Sequence, residues 1–214
     1  MRASIRSIGR GVAVATLVAA TVSCGDVART GRAPSMVVIE LLEASSGADP
    51  GTFGGFLLSD VQTRVEQIIN GETVLVSTIF NDVAQATMRL VLKDQGAGTS
   101  EVSPSALNAV TIHRYRISFR RADGRNTPGV DVPYPVDGGV TATIRGGATV
   151  VVQFEMVRHQ AKVEQPLRSL VSFGGRVFIA TIAEVTFFGT DLAGNDVQAT
   201  GTISVNFGDY ADPE

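Results

Sequence analysis

The sequence has few of the residues on which disulfides, metal sites and nucleophilic catalysis depend. Its single cysteine, Cys24, leaves no disulfide within the chain. Its two histidines, His113 and His159, lie outside the His-x-x-x-His and His-Glu patterns that bind zinc. The Gly-x-Ser-x-Gly and Gly-x-x-x-x-Gly-Lys patterns of serine hydrolases and phosphate loops do not occur. We therefore predict a non-enzymatic protein without a cofactor. The alternative is a hydrolase with an unfamiliar site near either histidine.

Large aromatic side chains are also scarce. Tryptophan is absent and tyrosine occurs three times, so an aromatic platform for stacking sugars has little to build with. A carbohydrate-binding accessory domain is a further alternative, in which Tyr134 would be the contact residue.

Long apolar runs are missing as well. The first, residues 11–22, is about 12 residues long, too short to span a hydrocarbon core of ~30 Å as a helix. Three arginines precede it and Ser23-Cys24 follows it. This order predicts a secretory signal peptide over residues 1–23. Nothing later in the chain is apolar and long enough for a transmembrane helix.

The end of that run, Thr21-Val22-Ser23-Cys24, resembles the lipobox of bacterial lipoproteins. In that family the cysteine is lipidated and becomes the mature N-terminus, although Thr21 stands where Leu or another aliphatic residue is usual. The resemblance implies that Cys24 anchors the protein to a membrane through two or three acyl chains, which hold durably. It also implies a bacterial cell envelope location, at the outer membrane, its periplasmic side or the cell surface. The alternative is ordinary cleavage nearby and a soluble exported protein.

Charge excludes one class of partner. The predicted signal segment holds three of the 18 basic residues and none of the 21 acidic ones, so the chain from Cys24 onward has a net charge of −6. That balance argues against general nucleic-acid binding. The expected partners are the membrane, through Cys24, and an unidentified envelope protein or glycan.

Alternation of apolar and polar residues dominates the remainder. From Val197 to Phe207 every second residue is apolar or small and the residues between are polar, which predicts a strand with one buried face. The preceding stretch, residues 177–188, is apolar at both parities, as a central strand would be. Similar strands recur, joined by turn-forming residues. We predict a tether over residues 24–35 and a single antiparallel β-sandwich of eight or nine strands over residues 36–214.

Arg114, Arg116 and Arg120 share one face of a predicted strand and form a basic stripe. One interpretation is a docking surface for an anionic partner such as lipid headgroups or acidic glycans. The other, which we favour, is a solvated face whose arginines pair with Glu155 or other carboxylates on a neighbouring strand. His113 has the parity of Tyr115, which predicts a hydrogen-bonded histidine at the edge of the core.

The Pro-rich segment at residues 121–139 is the best candidate for a binding surface, because long loops on rigid sandwiches often carry recognition. Tyr134, between two prolines, would be an exposed anchor, and Arg125 belongs to the same loop. The equally weighted alternative is a Pro-rich closure over one end of the core.

Two segments of the chain contain several Asp or Asn residues whose oxygen atoms could bind calcium. Asp191, Asn195 and Asp196 in the last turn are weak candidates, as are the aspartates of the Pro-rich loop. Neither group matches the twelve-residue calcium loop with its closing glutamate. Asp and Asn are far commoner as turn formers, so no metal site is predicted.

Residues 186–195 resemble the last hairpin of bacterial immunoglobulin-like domains, in which an Asp-x-x-Gly-Asn turn often joins the final two strands. The similarity covers about 30 residues. Residues 120–129 and the terminal hairpin are also similar to stretches of uncharacterised bacterial lipoproteins. These resemblances imply export and a decorated immunoglobulin-like sandwich, and they imply no activity. The protein is therefore expected to be a structural or binding module.

Overall fold

The computed structural model describes residues 31–94, 104–171, 173 and 176–210. The predicted signal peptide, Cys24 and the first part of the predicted tether lie outside the described residues. Within the described part of the chain, no helix has both the length and the apolar character needed to cross a membrane.

Ten strands make up most of the described chain. They are β1 (Ser35–Ser45), β2 (Phe56–Asp60), β3 (Thr63–Ile69), β4 (Glu72–Thr78), β5 (Asp82–Leu92), β6 (Val110–Arg120), β7 (Val136–Ile144), β8 (Thr149–Val157), β9 (Ile179–Asp191) and β10 (Asp196–Gly208). The helical segments whose bounds lie within the described residues are one short helix, α1 (His159–Val163), and two 3₁₀ turns, Ala106–Asn108 and Leu167–Leu170. Gly31 and Arg32, the first described residues, are also helical. The sequence predicts helix only over residues 159–170, interrupted by Pro166. The two helical segments after β8 lie there, on either side of Pro166. The helical residues Gly31 and Arg32 and the turn at Ala106–Asn108 were not predicted.

The strands form two stacked sheets and one separate ribbon. The three-stranded sheet has the order β1-β5-β8, and the five-stranded sheet has the order β2-β10-β9-β6-β7. All neighbours are antiparallel except β2, which runs parallel to β10. Strands β3 and β4 pair only with each other. The predicted all-β sandwich is confirmed, with ten strands instead of eight or nine, and its immunoglobulin-like character stays a prediction.

The core lies between the two sheets, on the faces that alternation predicted. Along β10 the buried positions include Val197, Ile203, Val205 and Phe207, and the polar residues between them face outward. Fully burying such side chains stabilises the fold by about 1.5–3 kcal/mol each. The sequence also predicts that Ala84, Ala86, Met88, Leu90 and Leu92 share one face of β5. The structure buries the first four and leaves Leu92 half-buried.

Aromatic rings connect the two sheets. Phe154 of β8 lies 4.9 Å from Tyr115 of β6 and 5.2 Å from Phe187 of β9, measured between ring centroids. Tilted and edge-to-face pairs at these separations add stability beyond the buried area. Gly201 of β10 allows β1 to pass close by, because a Cβ there would lie 3.2 Å from the Cδ1 atom of Ile39.

Strand β9 is central, as predicted, but it is buried on only one face. Ile179, Val185 and Phe187 point into the core, whereas Ile182 is exposed and Phe188 half-buried on the outer face. The prediction that both faces are buried is wrong because no layer covers the outside of the five-stranded sheet in the described structure. Strand β9 therefore leaves apolar side chains in contact with solvent.

The sequence predicts that Gly146-Gly147 closes a hairpin between residues 140–145 and 148–158, and this prediction is wrong. Strand β7 pairs with β6 and strand β8 pairs with β5, so the connection crosses from one sheet to the other. A local turn pattern does not distinguish the two arrangements, because both reverse the chain over the same two glycines. The sequence also predicts that Val150, Val152, Phe154 and Met156 share the inner face of β8. The last three are buried, which confirms the face, and Val150 is half-buried.

The extra strand is β3. The sequence predicts one strand over residues 56–63 and the next from Thr73, so most of β3 lies where no strand was predicted. Strand β2 ends at Asp60 beside β10, and β3 begins at Thr63 outside both sheets. The Thr63 hydroxyl donates a hydrogen bond to the carboxylate of Asp60 across this break. Asn70-Gly71 is a sequence typical of a hairpin turn, and the structure confirms this prediction. Both residues have a positive φ, 56° and 85°, as a two-residue turn of type I′ requires.

Candidate functional site

The basic stripe lies on the exposed face of β6, and its arginines have carboxylate partners on the flanking strands. Arg114 and Arg116 each lie 3.3 Å from an oxygen of Asp137 on β7, and Arg120 lies 3.9 Å from Glu184 on β9. Pairing with neighbouring carboxylates is confirmed. Exposed pairs of this kind add little stability, so the arrangement mainly reduces the net charge of the stripe.

Two details of the stripe differ from its prediction. Glu155 is on β8 in the other sheet and pairs with Arg158 at 3.4 Å, so it is not a partner of the stripe. The guanidinium of Arg114 also stacks over the ring of Phe188 at 4.0 Å, a cation–π contact. The Arg114 side chain therefore covers part of Phe188 on the outer face of β9.

The Pro-rich loop holds Tyr134 at the surface, as predicted. Its ring packs against Gly129, where a Cβ would lie 2.3 Å from the tyrosine hydroxyl oxygen. Arg125 donates to Asp123 at 2.8 Å, and Arg121 donates to the same carboxylate. These hydrogen bonds lower the pKa of Asp123 below its usual range. The basic residues of the predicted binding surface therefore have separate carboxylate partners. Arg125 pairs with Asp123, and Arg114 and Arg116 pair with Asp137.

The last turn uses its polar side chains to close itself. One Asp191 oxygen accepts from the backbone N–H groups of Ala193 and Asn195 at 2.9 and 2.8 Å, and the other accepts from the Asn195 amide at 2.8 Å. Burial alone would raise the pKa of Asp191, but these hydrogen bonds outweigh it and lower that pKa. The turn thus has a structural use for Asp191 and Asn195. Nowhere in the described residues do three or more His, Cys, Asp or Glu side chains gather as a metal site would require.

His113 is exposed, so the prediction of a histidine at the core edge is wrong. The cause is a β-bulge. Ile112 pairs with Gly189 and Arg114 with Phe188, so β6 has one residue more than β9 at this point. The extra residue changes the parity, and Ile112 and Tyr115 both face the core with two outward residues between them.

His159 begins α1 and contacts Asn81 rather than a catalytic group. Its backbone N–H donates to the Asn81 side-chain oxygen at 2.7 Å, and its ring Nδ1 lies 3.2 Å from the same atom. The Asn81 amide donates in turn to Glu155 at 2.8 Å. This set of contacts ties the start of α1 to the end of the β4–β5 connection.

The most unusual site is a buried ion pair that sequence reasoning missed. The ammonium of Lys162 in α1 donates to Asp82 of β5 at 2.9 Å, and the two side chains are 1% and 0% exposed. Asp82 also accepts from the Ser59 hydroxyl at 2.6 Å and the Gly47 N–H at 2.9 Å. The pair therefore joins the β1–β2 loop, β2, β5 and α1 at one end of the sandwich.

Burial dominates the electrostatics of this pair. It raises the pKa of Asp82, and the attraction of Lys162 with the hydrogen bonds from Gly47 and Ser59 opposes that rise. Only two of the 18 basic residues, Lys93 and Lys162, are lysines. This rarity was the one sequence signal that could have drawn attention to Lys162. Lys and Asp are seldom fully buried unless they are paired. Asp82 and Lys162 lie 80 positions apart in the sequence, so no local pattern connects them.

The second feature that sequence reasoning missed is the ribbon of β3 and β4. Val65 pairs with Val76, Glu66 with Leu75 and Ile68 with Thr73. Large aliphatic side chains of the ribbon are exposed, namely Ile68, Ile69, Val74 and Leu75. A signal was available, since strand-forming residues precede Asn70-Gly71 as well as follow it.

A cavity of about 470 Å³ lies at the root of the ribbon. Gln62 and Ile79 line it from the chain positions just before β3 and just after β4, and Lys162, Val163, Arg168 and Val171 line it from the helical segment. The volume is in the range that accepts an apolar side chain or a small ligand. An exposed apolar ribbon thus stands beside a partly apolar cavity.

In comparisons with protein-family models, curated proteins and solved structures, no match to this chain was found. The fold defines an all-β sandwich protein with a separate two-stranded ribbon.

Proposed function

We propose that this chain is a non-enzymatic, lipid-anchored binding module of the bacterial cell envelope. In this proposal the sandwich is the scaffold and the β3–β4 ribbon is the element that contacts a protein partner. The observation that carries the proposal is the ribbon itself, with four exposed aliphatic side chains and no described strand paired to either outer edge.

The exposed apolar surface of the ribbon supports a role in binding a protein partner. Scattered surface Leu or Ile residues are normal, but a concentration of them on one projecting element marks an interaction site. Ile68 is 80% exposed. Unpaired strand edges are also a template for pairing with another chain, which native proteins usually avoid.

The polar side chains that could take part in catalysis have structural roles. The Ser59 hydroxyl and the Lys162 ammonium are buried, and both donate hydrogen bonds to the buried carboxylate of Asp82. Asp191 and Asn195 close a turn. Each arrangement has a use in holding loops and strands together, and we assign none of them to catalysis.

Lipid anchoring is supported by the Cys24 segment, and substitution of the cysteine tests it. Cys24→Ser removes the thiol that would carry the acyl chains, so the protein should move from the membrane fraction to the soluble fraction of the envelope and lose incorporation of labelled palmitate. A folded Cys24→Ser protein that stays in the membrane fraction would rule out this anchor.

Contact through the ribbon is tested with a photo-crosslinking amino acid in intact cells. Placed at Ile68, it should give a specific product heavier than the monomer. The matched control is Val151, a 57% exposed aliphatic residue on β8 of the three-stranded sheet, away from the ribbon strands. Equal crosslinking at the two positions, or none at Ile68, would contradict a role for the ribbon in contact.

A further inference from the structure

The ribbon is incomplete as a β-structure. Its two strands pair along seven residues each, and a two-stranded hairpin is marginally stable in water, whereas three or more strands are stable. Both outer edges are unpaired in the described structure. A strand added along either edge would give the ribbon a third strand and place its side chains beside the exposed aliphatic side chains of the strand it joins.

The charges on β3 match those of a second β3. Arg64 and Glu66 lie on the same face, one on either side of Val65. If two copies of β3 pair antiparallel with Val65 opposite Val65, each Arg64 lies opposite the other copy's Glu66. Opposite charges directly across an antiparallel pair are stabilising, and like charges there are destabilising. Strand β4 has one charge, Glu72, and no such match.

The same register brings an apolar side chain to the cavity at the ribbon root. Three positions beyond the central valine, Ile68 of one copy lies opposite Gln62 of the other. Gln62 lines the cavity together with Ile79, Val163 and Val171. In this register Ile68, the most exposed aliphatic side chain of the ribbon, meets the partly apolar cavity at the root of the other ribbon, and two-fold symmetry repeats the contact.

We propose that the chain forms a two-fold symmetric dimer in which β3 pairs antiparallel with β3 of a second copy about Val65. The proposal deepens the proposed function and rests on it, since it identifies the partner of the ribbon as the same protein. The result is a four-stranded sheet of order β4-β3-β3-β4 that links two sandwiches.

A cysteine on the two-fold axis tests the pairing in the anchored full chain. Cβ atoms directly opposite in antiparallel strands are about 4.5–5.5 Å apart, so Val65→Cys should give a disulfide-linked dimer in the oxidising envelope. Thr73→Cys, exposed on β4, is the matched control and should give none. The chain without an added cysteine controls for Cys24.

Charge reversal in the Val65→Cys background tests the register. Arg64→Glu and Glu66→Arg each place like charges opposite one another, so each should reduce the dimer about tenfold or more. The double variant restores both pairs and should restore the dimer. The two single variants should also crosslink to each other when they are expressed together, because that mixed pair has opposite charges at both positions.

Three outcomes would overturn the dimer. They are a Val65→Cys protein that remains monomeric, a Thr73→Cys protein that dimerises equally, and a dimer unaffected by both reversals. A crosslink from Ile68 to a different protein, with no dimer at position 65, would leave the ribbon as a contact element and overturn self-pairing. Absence of both would contradict the proposed function as well. Unchanged melting temperatures of the variants confirm that the fold is intact.

Discussion

Lys162 and Asp82 illustrate how a single buried contact ties remote segments together. A buried ion pair gains little over apolar residues of the same volume, since removing two charges from water offsets their attraction. Removing one partner is different, because the remaining charge is left without compensation. Asp82 would keep its two hydrogen bonds, from Ser59 and Gly47, and lose its counter-charge.

The first prediction concerns Lys162→Met. We expect the free energy of unfolding to fall by about 3–5 kcal/mol, measured by urea denaturation, because Asp82 becomes an unpaired buried carboxylate. Lys93→Met is the matched control on the other lysine, which is exposed, and should change stability by about 0.5 kcal/mol or less.

A double variant separates the ion pair from packing. Lys162→Met combined with Asp82→Leu removes both charges and should recover most of the lost stability. A double variant no more stable than Lys162→Met would show that side-chain packing, rather than the unpaired charge, caused the loss.

The second prediction follows from the lowered pKa of Asp191. A carboxyl whose pKa is lower in the folded state than its usual 3.8 stabilises the fold above that pH and loses its contribution as the pH falls toward the lowered value. The difference in melting temperature between the native chain and Asp191→Asn should therefore be largest near neutral pH and shrink below about pH 3.8. A difference that does not change with pH would contradict a role for the Asp191 charge.

At the scale of elements, alternation specifies faces only where a strand is regular. In β10 it identified every buried side chain from Val197 to Phe207. In β6 the bulge at His113 breaks the period, and the exposed histidine has the parity of a core residue. A bulge depends on how the partner strand is paired, so no pattern within β6 itself predicts it.

The third prediction tests the face assignment of β10. Val205→Asp should unfold the domain or lower its stability by more than about 4 kcal/mol, because it places an unpaired carboxylate in the core. Ser204→Asp, its exposed neighbour on the opposite face, should cost less than about 1 kcal/mol. Thermal melting of the two variants gives the comparison, and similar losses would contradict the assignment.

At the scale of the whole molecule, the sandwich and the ribbon are separable. The sandwich has a continuous core between its two sheets, whereas β3 and β4 contact mainly each other. The buried pair of Asp82 and Lys162 joins segments of the sandwich without involving either strand of the ribbon. The scaffold should therefore fold without most of the ribbon.

The fourth prediction is that shortening the ribbon leaves the fold intact. Replacing residues 66–75 with Asn-Gly joins Val65 to Val76, which already face each other, through a two-residue turn. We expect a melting temperature within a few degrees of that of the native chain. A large fall in the melting temperature would show that the ribbon is part of the scaffold.

The sequence by itself determined the local features of this protein. It predicted the all-β class, the buried faces of β5, β8 and β10, and the turns at Asn70-Gly71 and after Asp191. It also predicted the outward arginines of β6 and the exposure of Tyr134. These features depend on side chains within a few residues of one another, so their pattern is complete within a short stretch of chain.

Only the tertiary structure decided which distant segments meet. It set the parallel pairing of β2 with β10, separated the ribbon from the sheets and brought Lys162 to Asp82 across 80 positions. Strand pairing and burial are properties of the assembled chain, because a strand has the same period whichever neighbour it takes. The candidate contact element and the buried ion pair were therefore visible only after the sheets had formed.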